Sequence, residues 1–191
     1  MLLWLIIPIS YLLGSISFAL LLSRWANLGD PREFGSKNPG TTNMLRTANK
    51  QLAALTLIGD ISKGTIPIIV AQHYGASTYF QAWVALASGV GHIYPIFFSF
   101  QGGKGMATTL GSLLMLSVPT GVITTIIWLV VFVCSRISSV ATFSSLAIAL
   151  LLCTFLIPRA LLPVTILILL VLWRHRSNAY NLIVGQEHHF K

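Results

Sequence analysis

The chain has 191 residues, of which 55% are hydrophobic and only 8% are charged, and its mean hydropathy is +0.81. Soluble domains carry about 25% charged residues, so a chain this apolar cannot cover a water-facing surface, and most of it must lie in lipid. The formal charge is +8, and the aromatic residues lie mostly in apolar runs. The basic excess therefore indicates membrane topology, anionic headgroups or anionic substrates, and argues against nucleic acid.

The first predicted element is the uncharged run 1–23, which is long enough to cross a bilayer at about 20 residues per crossing. It lacks the basic start and small-residue cleavage site of a signal peptide. Positive charge comes only after it, so we expect the N-terminus outside. A polar stretch over 24–50 follows.

A second helix is predicted over 52–72 and a third over 78–98. The second carries Asp60 and Lys63, which stand three residues apart and can therefore pair on one helical face. An ion pair inside a span favours a structural role for these two residues, because each charge needs its partner there.

The uncharged run 106–135 is either one tilted helix or two short helices with a turn at Pro119-Thr120-Gly121. A single helix would move the later basic residues to the other face of the membrane. A hairpin leaves every basic residue except Arg159 on the inner face, so the positive-inside rule favours the hairpin.

Two more helices are predicted over 140–157 and 162–173. The fold class is thus an all-α polytopic membrane bundle of seven transmembrane helices, with the N-terminus outside and the C-terminus cytoplasmic. We expect one domain over 1–191, a multi-pass protein of the cell inner membrane whose functional face is cytoplasmic.

Four polar segments fall on the predicted inner face. In the segment 35–46, small and hydroxylated residues are followed by Arg46, which can grip a phosphate with two hydrogen bonds. In the segment 102–109, three glycines surround Lys104 at a predicted helix start, and such a start favours anions. The segment 102–109 is not a Walker A loop, and each of the two segments could also be a simple turn. The segments 136–139 and 174–178 follow, and the last places His175 and Asn178 three residues apart.

The sequence lacks the motifs of several other kinds of catalytic site. No G-x-S-x-G elbow occurs, and the carboxylates Asp30, Glu33, Asp60 and Glu187 are scattered along the chain. We therefore expect no metal site and no cofactor.

In order and spacing, these segments resemble the bacterial acyl-phosphate:glycerol-3-phosphate acyltransferases, the PlsY family. The resemblance covers the whole chain and includes segments 11–16, 35–46, 60–64, 91–108, 136–139 and 174–187. It implies acyl transfer from acyl phosphate to the 1-hydroxyl of glycerol 3-phosphate, giving lysophosphatidic acid and phosphate. It also implies, as functional partners, membrane lipids and an acyl-ACP:phosphate transacylase that supplies the donor.

The resemblance also implies the site residues. The predicted catalytic residues are Ser36, Lys104, His175 and Asn178, and the predicted substrate- and phosphate-binding residues are Arg46, Asn43, Gly102, Gly103 and Ser139. The chain departs from the family pattern at Pro39, Thr41 and Asn181, which puts a headgroup contact at position 181 in doubt.

An acyl phosphate is already an activated anhydride, so we expect direct attack by the glycerol hydroxyl without an acyl-enzyme. Three alternatives remain open for the proton: His175 is the base, His175 only donates a hydrogen bond to phosphate, or the substrate phosphate takes the proton. A covalent role for Ser36 is the rival mechanism. A transporter or a scaffolding protein would explain the helices, but neither would explain the glycine–lysine segment.

Overall fold

The computed structural model describes residues 2–190, and every regular element in that range is helical. Two single 3₁₀ turns, at Ile96–Phe98 and Pro158–Ala160, accompany ten α-helices. The helices are α1 (Leu2–Gly14), α2 (Phe18–Trp25), α3 (Thr41–Thr47), α4 (Lys50–His73), α5 (Thr78–Ile93), α6 (Met106–Leu116), α7 (Val118–Ser135), α8 (Ser138–Leu156), α9 (Leu161–Arg174) and α10 (Arg176–Ile183).

Three helices are long and apolar enough to cross a membrane: α4, α7 and α8. Two bent pairs also qualify as broken spans, Leu3–Gly14 with Phe18–Trp25 at 42° and Pro158–Arg174 with Arg176–Ile183 at 50°. The run predicted as one first helix is therefore two helices, and α6 is a shorter apolar helix. The seven crossings and the orientation of the termini stay predictions.

The run 106–135 is broken, and its two halves α6 and α7 pack against each other. The break lies at Ser117, two residues before the predicted Pro119-Thr120-Gly121 turn, so the predicted position of the turn was wrong. The Ser117 side chain caps α7 by accepting a hydrogen bond from the Thr120 amide. Pro119 falls in the first turn of α7, where its missing amide hydrogen costs nothing.

The third predicted helix ends earlier than expected, because α5 stops at Ile93 and the 3₁₀ turn takes over the chain. Pro95 follows two residues later. A proline disfavours the helical conformation of the residue before it, here Tyr94, so the helix does not continue. The chain then returns to His92, whose carbonyl oxygen accepts a hydrogen bond from the Gly103 amide at 3.1 Å.

Small residues let the central helices approach closely, as is typical of helix contacts in membranes. A Cβ on Gly64 of α4 would lie 2.1 Å from the carbonyl oxygen of Thr108 on α6. Polar contacts join the same helices: Thr108 Oγ1 donates to the Asp60 carbonyl oxygen at 3.0 Å, and Ser88 Oγ of α5 donates to the Lys63 carbonyl oxygen at 2.7 Å.

We predict that Gly64→Ala destabilises the protein by about 1–3 kcal/mol, because the new methyl group must push α6 away from α4. Thermal unfolding in detergent measures the loss. Ala54→Val, at an exposed position of the same helix, is the control and should leave the midpoint nearly unchanged. Equal midpoints for Gly64→Ala and the parent would contradict the close packing of these helices.

Candidate active site

A cleft of about 250 Å³ opens between the segment that precedes α3, the helices α4 and α6, the α7–α8 pair and the C-terminal segment. Six of the nine predicted site residues line it: Ser36, Arg46, Lys104, Ser139, His175 and Asn178. They come from five separate elements, so the fold and not local sequence brings them together.

The segment before α3 is shaped by Asn43, which lies buried behind the cleft. Its Oδ1 accepts a hydrogen bond from the Ser36 amide at 2.8 Å, and its Nδ2 donates to the carbonyl oxygens of Pro31 and Phe34. These bonds occupy the amide, and Asn43 does not line the cleft, so the structure does not bring Asn43 to the predicted phosphate site. Asn43 instead holds the turn that presents Ser36.

The glycine–lysine segment places Lys104, Gly105, Met106 and Ala107 in the cleft wall, at the N-terminus of α6. Gly105 has φ +89°, a left-handed conformation that side chains disfavour. The first amides of α6 have no partner within the helix and favour an anion at this end.

Gly102 and Gly103 do not line the cleft, in contrast to their predicted binding role. Both are buried, and their carbonyl oxygens lie 3.1 Å and 3.4 Å from guanidinium nitrogens of Arg174. The Gly103 amide is already bonded to the His92 carbonyl oxygen. The two glycines therefore fix the shape of the segment, while Lys104 and the α6 amides face the cleft.

A chain of short hydrogen bonds crosses the cleft. Lys104 Nζ donates to Asn178 Oδ1 at 2.6 Å, and Asn178 Nδ2 donates to Glu187 Oε1 at 2.6 Å. Ser139 Oγ donates to the same Glu187 oxygen at 2.9 Å. Glu187 was not predicted, because carboxylates scattered along the sequence gave no sign that one would reach a cation-rich site.

Burial makes the two cations of the cleft unusual. It lowers the pKa of the Lys104 ammonium to about 8, an effect opposed by the negative charge of Glu187. Burial also lowers the pKa of the Arg46 guanidinium from its ordinary value. Arg46 lies 4.2 Å from the centre of the Phe190 ring, so the C-terminal segment covers this side of the cleft.

His175 is buried at the junction of α9 and α10. Its Nδ1 lies 2.8 Å from the carbonyl oxygen of Val171, which can only accept, so Nδ1 carries the proton. In the neutral ring this leaves a lone pair on Nε2, which could accept a proton or a hydrogen bond.

The buried ion pair predicted on α4 is confirmed, with Lys63 Nζ 2.9 Å from Asp60 Oδ1. His92 joins it: His92 Nδ1 lies 3.2 Å from Lys63 Nζ and 3.6 Å from Asp60 Oδ1. Asp60 and His92 both line the cleft, which sequence reasoning did not foresee.

One part of the cleft wall is apolar. It is formed mainly by side chains of α4, α6 and α7, namely Leu57, Ile61, Met106, Leu110, Trp128 and Leu129. Leu57 and Leu129 are 39% and 49% exposed, so this end of the cleft opens sideways, toward the region that lipid would occupy. Within residues 2–190 no group of three or more His, Cys, Asp or Glu side chains is arranged to hold a metal ion.

The sequence and the fold can be compared with known proteins. Residues 4–185 match the family described as glycerol-3-phosphate acyltransferase. The glycerol-3-phosphate acyltransferases of Pseudomonas paraeruginosa and Azotobacter vinelandii are each 49% identical over 187 residues, 98% of this chain and 99% of theirs.

Two crystal structures of PlsY (YgiH), an integral membrane glycerol 3-phosphate acyltransferase, are also similar. The glycerol 3-phosphate form has a TM-score of 0.93 at 33% identity, over 99% of this chain and 96% of that one. The lysophosphatidic acid form has a TM-score of 0.91 at 32% identity, over 99% and 95%. The chain is therefore an all-helical, membrane-embedded member of the glycerol-3-phosphate acyltransferase family.

Proposed function

We propose that this protein transfers an acyl chain from acyl phosphate to the 1-hydroxyl of glycerol 3-phosphate, releasing lysophosphatidic acid and phosphate. The observation that carries the proposal is the two-part cleft, in which Lys104 and Arg46 lie at one end and an apolar wall forms the other. Such a cleft suits a reaction whose partners are both phosphorylated and of which one bears a long apolar chain. Acylation of glycerol 3-phosphate is a step of phospholipid synthesis.

The reacting groups would meet at the boundary between the two parts. The acyl chain lies along Leu57, Leu110 and Leu129, which places the carbonyl carbon near the N-terminus of α6. The amides there and the Lys104 ammonium stabilise the charge that develops on the oxyanion and on the departing phosphate. Arg46 binds the other phosphate, as a guanidinium can with two parallel hydrogen bonds.

The chemical step is direct. The oxygen of the 1-hydroxyl forms a bond with the acyl carbon, the carbon–oxygen bond to phosphate breaks, and phosphate leaves with the electron pair. The hydroxyl proton goes to His175 Nε2, whose lone pair the Val171 contact leaves free, or to a substrate phosphate. Binding both substrates in one cleft supplies much of the rate by proximity.

Ser139 and Asn178 orient the substrates, and Glu187 orients Ser139 and Asn178. Glu187 Oε1 accepts a hydrogen bond from each of them, which fixes the direction of the Asn178 amide and keeps its Oδ1 toward Lys104. Glu187 acts through these neighbours and is a positioning residue.

Ser36 binds substrate and does not form a covalent intermediate. A nucleophilic serine needs a base within hydrogen-bonding distance. In the described part of the chain, Ser36 Oγ makes no hydrogen bond to a basic side chain. This supports transfer without an acyl-enzyme.

The cleft would face the cytoplasm of the inner membrane, with seven crossings and the N-terminus outside. The positive-inside rule supports this orientation, because the cleft cations Arg46 and Lys104 belong to the basic face of the chain. Acyl phosphate would come from an acyl-ACP:phosphate transacylase and reach the cleft through its lateral opening. No cofactor takes part in this reaction.

The donor and the absence of an acyl-enzyme can be tested together. Purified protein with palmitoyl phosphate and labelled glycerol 3-phosphate should release phosphate and form lysophosphatidic acid, whereas palmitoyl-CoA should give no product. Mass spectrometry of the protein after incubation with palmitoyl phosphate alone should find Ser36 unmodified. Equal use of both donors would disprove the donor assignment, and a stable acyl group on Ser36 would disprove direct transfer.

Lys104→Ala should lower kcat/KM by about 10²–10³-fold, because it removes the ammonium charge that lines the cleft at the N-terminus of α6. Steady-state kinetics measures the loss, and Lys50→Ala, at an exposed position, is the matched control. Near-parental activity of Lys104→Ala would refute the role of this lysine.

The pKa of about 8 at Lys104 predicts a pH dependence. As pH rises through about 8 the free enzyme loses the ammonium charge, so kcat/KM should fall there, well below the range in which an ordinary lysine deprotonates. In Lys104→Arg the charge persists, so its lower activity should show no such decline up to about pH 10. The same alkaline limb in both proteins would assign the decline to another group.

A further inference from the structure

The cluster of Lys63, Asp60 and His92 is the buried charged group that the proposed mechanism leaves unused. All three side chains are at least nine-tenths buried, yet Asp60 and His92 reach the cleft wall. A salt bridge on α4 would be satisfied without the histidine. His92 is therefore an additional member of the cluster, and its contacts determine which ring nitrogen carries the proton.

The Lys63 ammonium is a donor only. Its Nζ lies 2.9 Å from Asp60 Oδ1 and 3.2 Å from His92 Nδ1, so it can donate to both. In the neutral ring, a proton on His92 Nδ1 would point at those same ammonium hydrogens, and a ring protonated on both nitrogens would add a second buried positive charge beside one carboxylate. Nδ1 is therefore an acceptor, and the neutral ring carries its proton on Nε2.

His92 Nε2 faces the glycine–lysine segment. A Cβ built on Gly103 would lie 2.1 Å from this nitrogen, so only glycine leaves room for the ring there. Within residues 2–190 His92 Nε2 makes no hydrogen bond to protein. It is also not one of the fully buried polar atoms that lack a partner, so it is partly accessible. An accessible donor that no protein group occupies is free to bind a ligand in the cleft, whose wall includes His92.

We infer that His92 is a further anion-binding residue: its Nε2–H, fixed in place by Lys63 and Asp60, donates to a phosphoryl oxygen held beside Lys104. The inference rests on the proposed function in taking that oxygen from acyl phosphate or from glycerol 3-phosphate. Lys63 and Asp60 are positioning residues, which act on substrate only through the tautomer of His92.

The two histidines of the cleft are then complementary. His175 holds its proton on Nδ1 and presents a lone pair, whereas His92 holds its proton on Nε2 and presents a donor. The His175 lone pair suits a hydroxyl group or a transferred proton, and the His92 N–H group suits an anion. Each arrangement is set by what lies behind the ring, a carbonyl oxygen in one case and an ammonium in the other.

The test compares His92→Leu, which has no donor, with His92→Gln, whose amide can place an N–H close to the position of Nε2. His73→Leu, at an exposed histidine at the far end of α4, is the matched control. His92→Leu should raise KM for at least one phosphorylated substrate about tenfold or more, as expected for a lost hydrogen bond to a charged group, with a smaller effect on kcat. His92→Gln should recover most of the loss.

The two KM values identify the substrate whose phosphate is bound, because the affected value belongs to acyl phosphate or to glycerol 3-phosphate. Equal losses in His92→Leu and His92→Gln, unchanged KM values in both, or a fall in kcat alone would overturn the inference.

Inorganic phosphate binding, measured by calorimetry on the same proteins, is independent of turnover. A parent protein that binds phosphate more tightly than His92→Leu but has no acyltransferase activity would refute the proposed function and support the binding role, whereas a parent that binds no phosphate would refute that role.

A second measurement does not depend on turnover. Nitrogen NMR of the ¹⁵N-histidine-labelled parent should show one ring with an unprotonated Nδ1 and a protonated Nε2, and this signal should shift when phosphate is added. Its absence from His92→Gln assigns it. The opposite tautomer at His92, or no response to phosphate, would overturn the inference.

Discussion

The reversal of the chain at Ser117 is the constraint on which the site depends. Because α6 ends at Leu116 and α7 turns back against it, α8 begins on the same side as Lys104 and brings Ser139 into the cleft. The chain then runs through α9, and His175 and Asn178 reach the cleft at and just beyond the end of this helix. One continuous helix over 106–135 would separate Lys104 from Asn178, and their 2.6 Å hydrogen bond could not form.

Inside an apolar bundle, each charge in the cleft needs a partner within the protein or in the substrate. Lys63 has Asp60, and Lys104 is linked through Asn178 to Glu187. Arg46 and Lys104 together still outnumber the one carboxylate, Glu187, that reaches them, so this part of the cleft favours a phosphate. The α6 N-terminus adds to the attraction without adding a formal charge.

Much of the site could be predicted, because Ser36, Arg46 and Lys104 lie in segments whose composition indicates anion binding. Asn43 and Gly103 lie in those segments, but the structure bonds their polar groups to other parts of the protein, which a sequence cannot show because it gives donors and acceptors and not what satisfies them. Glu187 and His92 were missed for another reason. Their importance comes from neighbours that are distant in sequence. Glu187 contacts Ser139, which lies 48 residues earlier, and His92 contacts Lys63, which lies 29 residues earlier.

The C-terminal segment beyond α10 is held against the cleft by contacts of Phe190. The Phe190 amide donates to the Arg136 carbonyl oxygen at 2.9 Å, and its ring lies against Arg46 and Phe132. Anything joined to the chain just after this residue is therefore anchored at the mouth of the cleft. A purification handle or a fluorescent reporter placed there would crowd Glu187 and Arg46, so fusions intended for functional work belong at the other terminus.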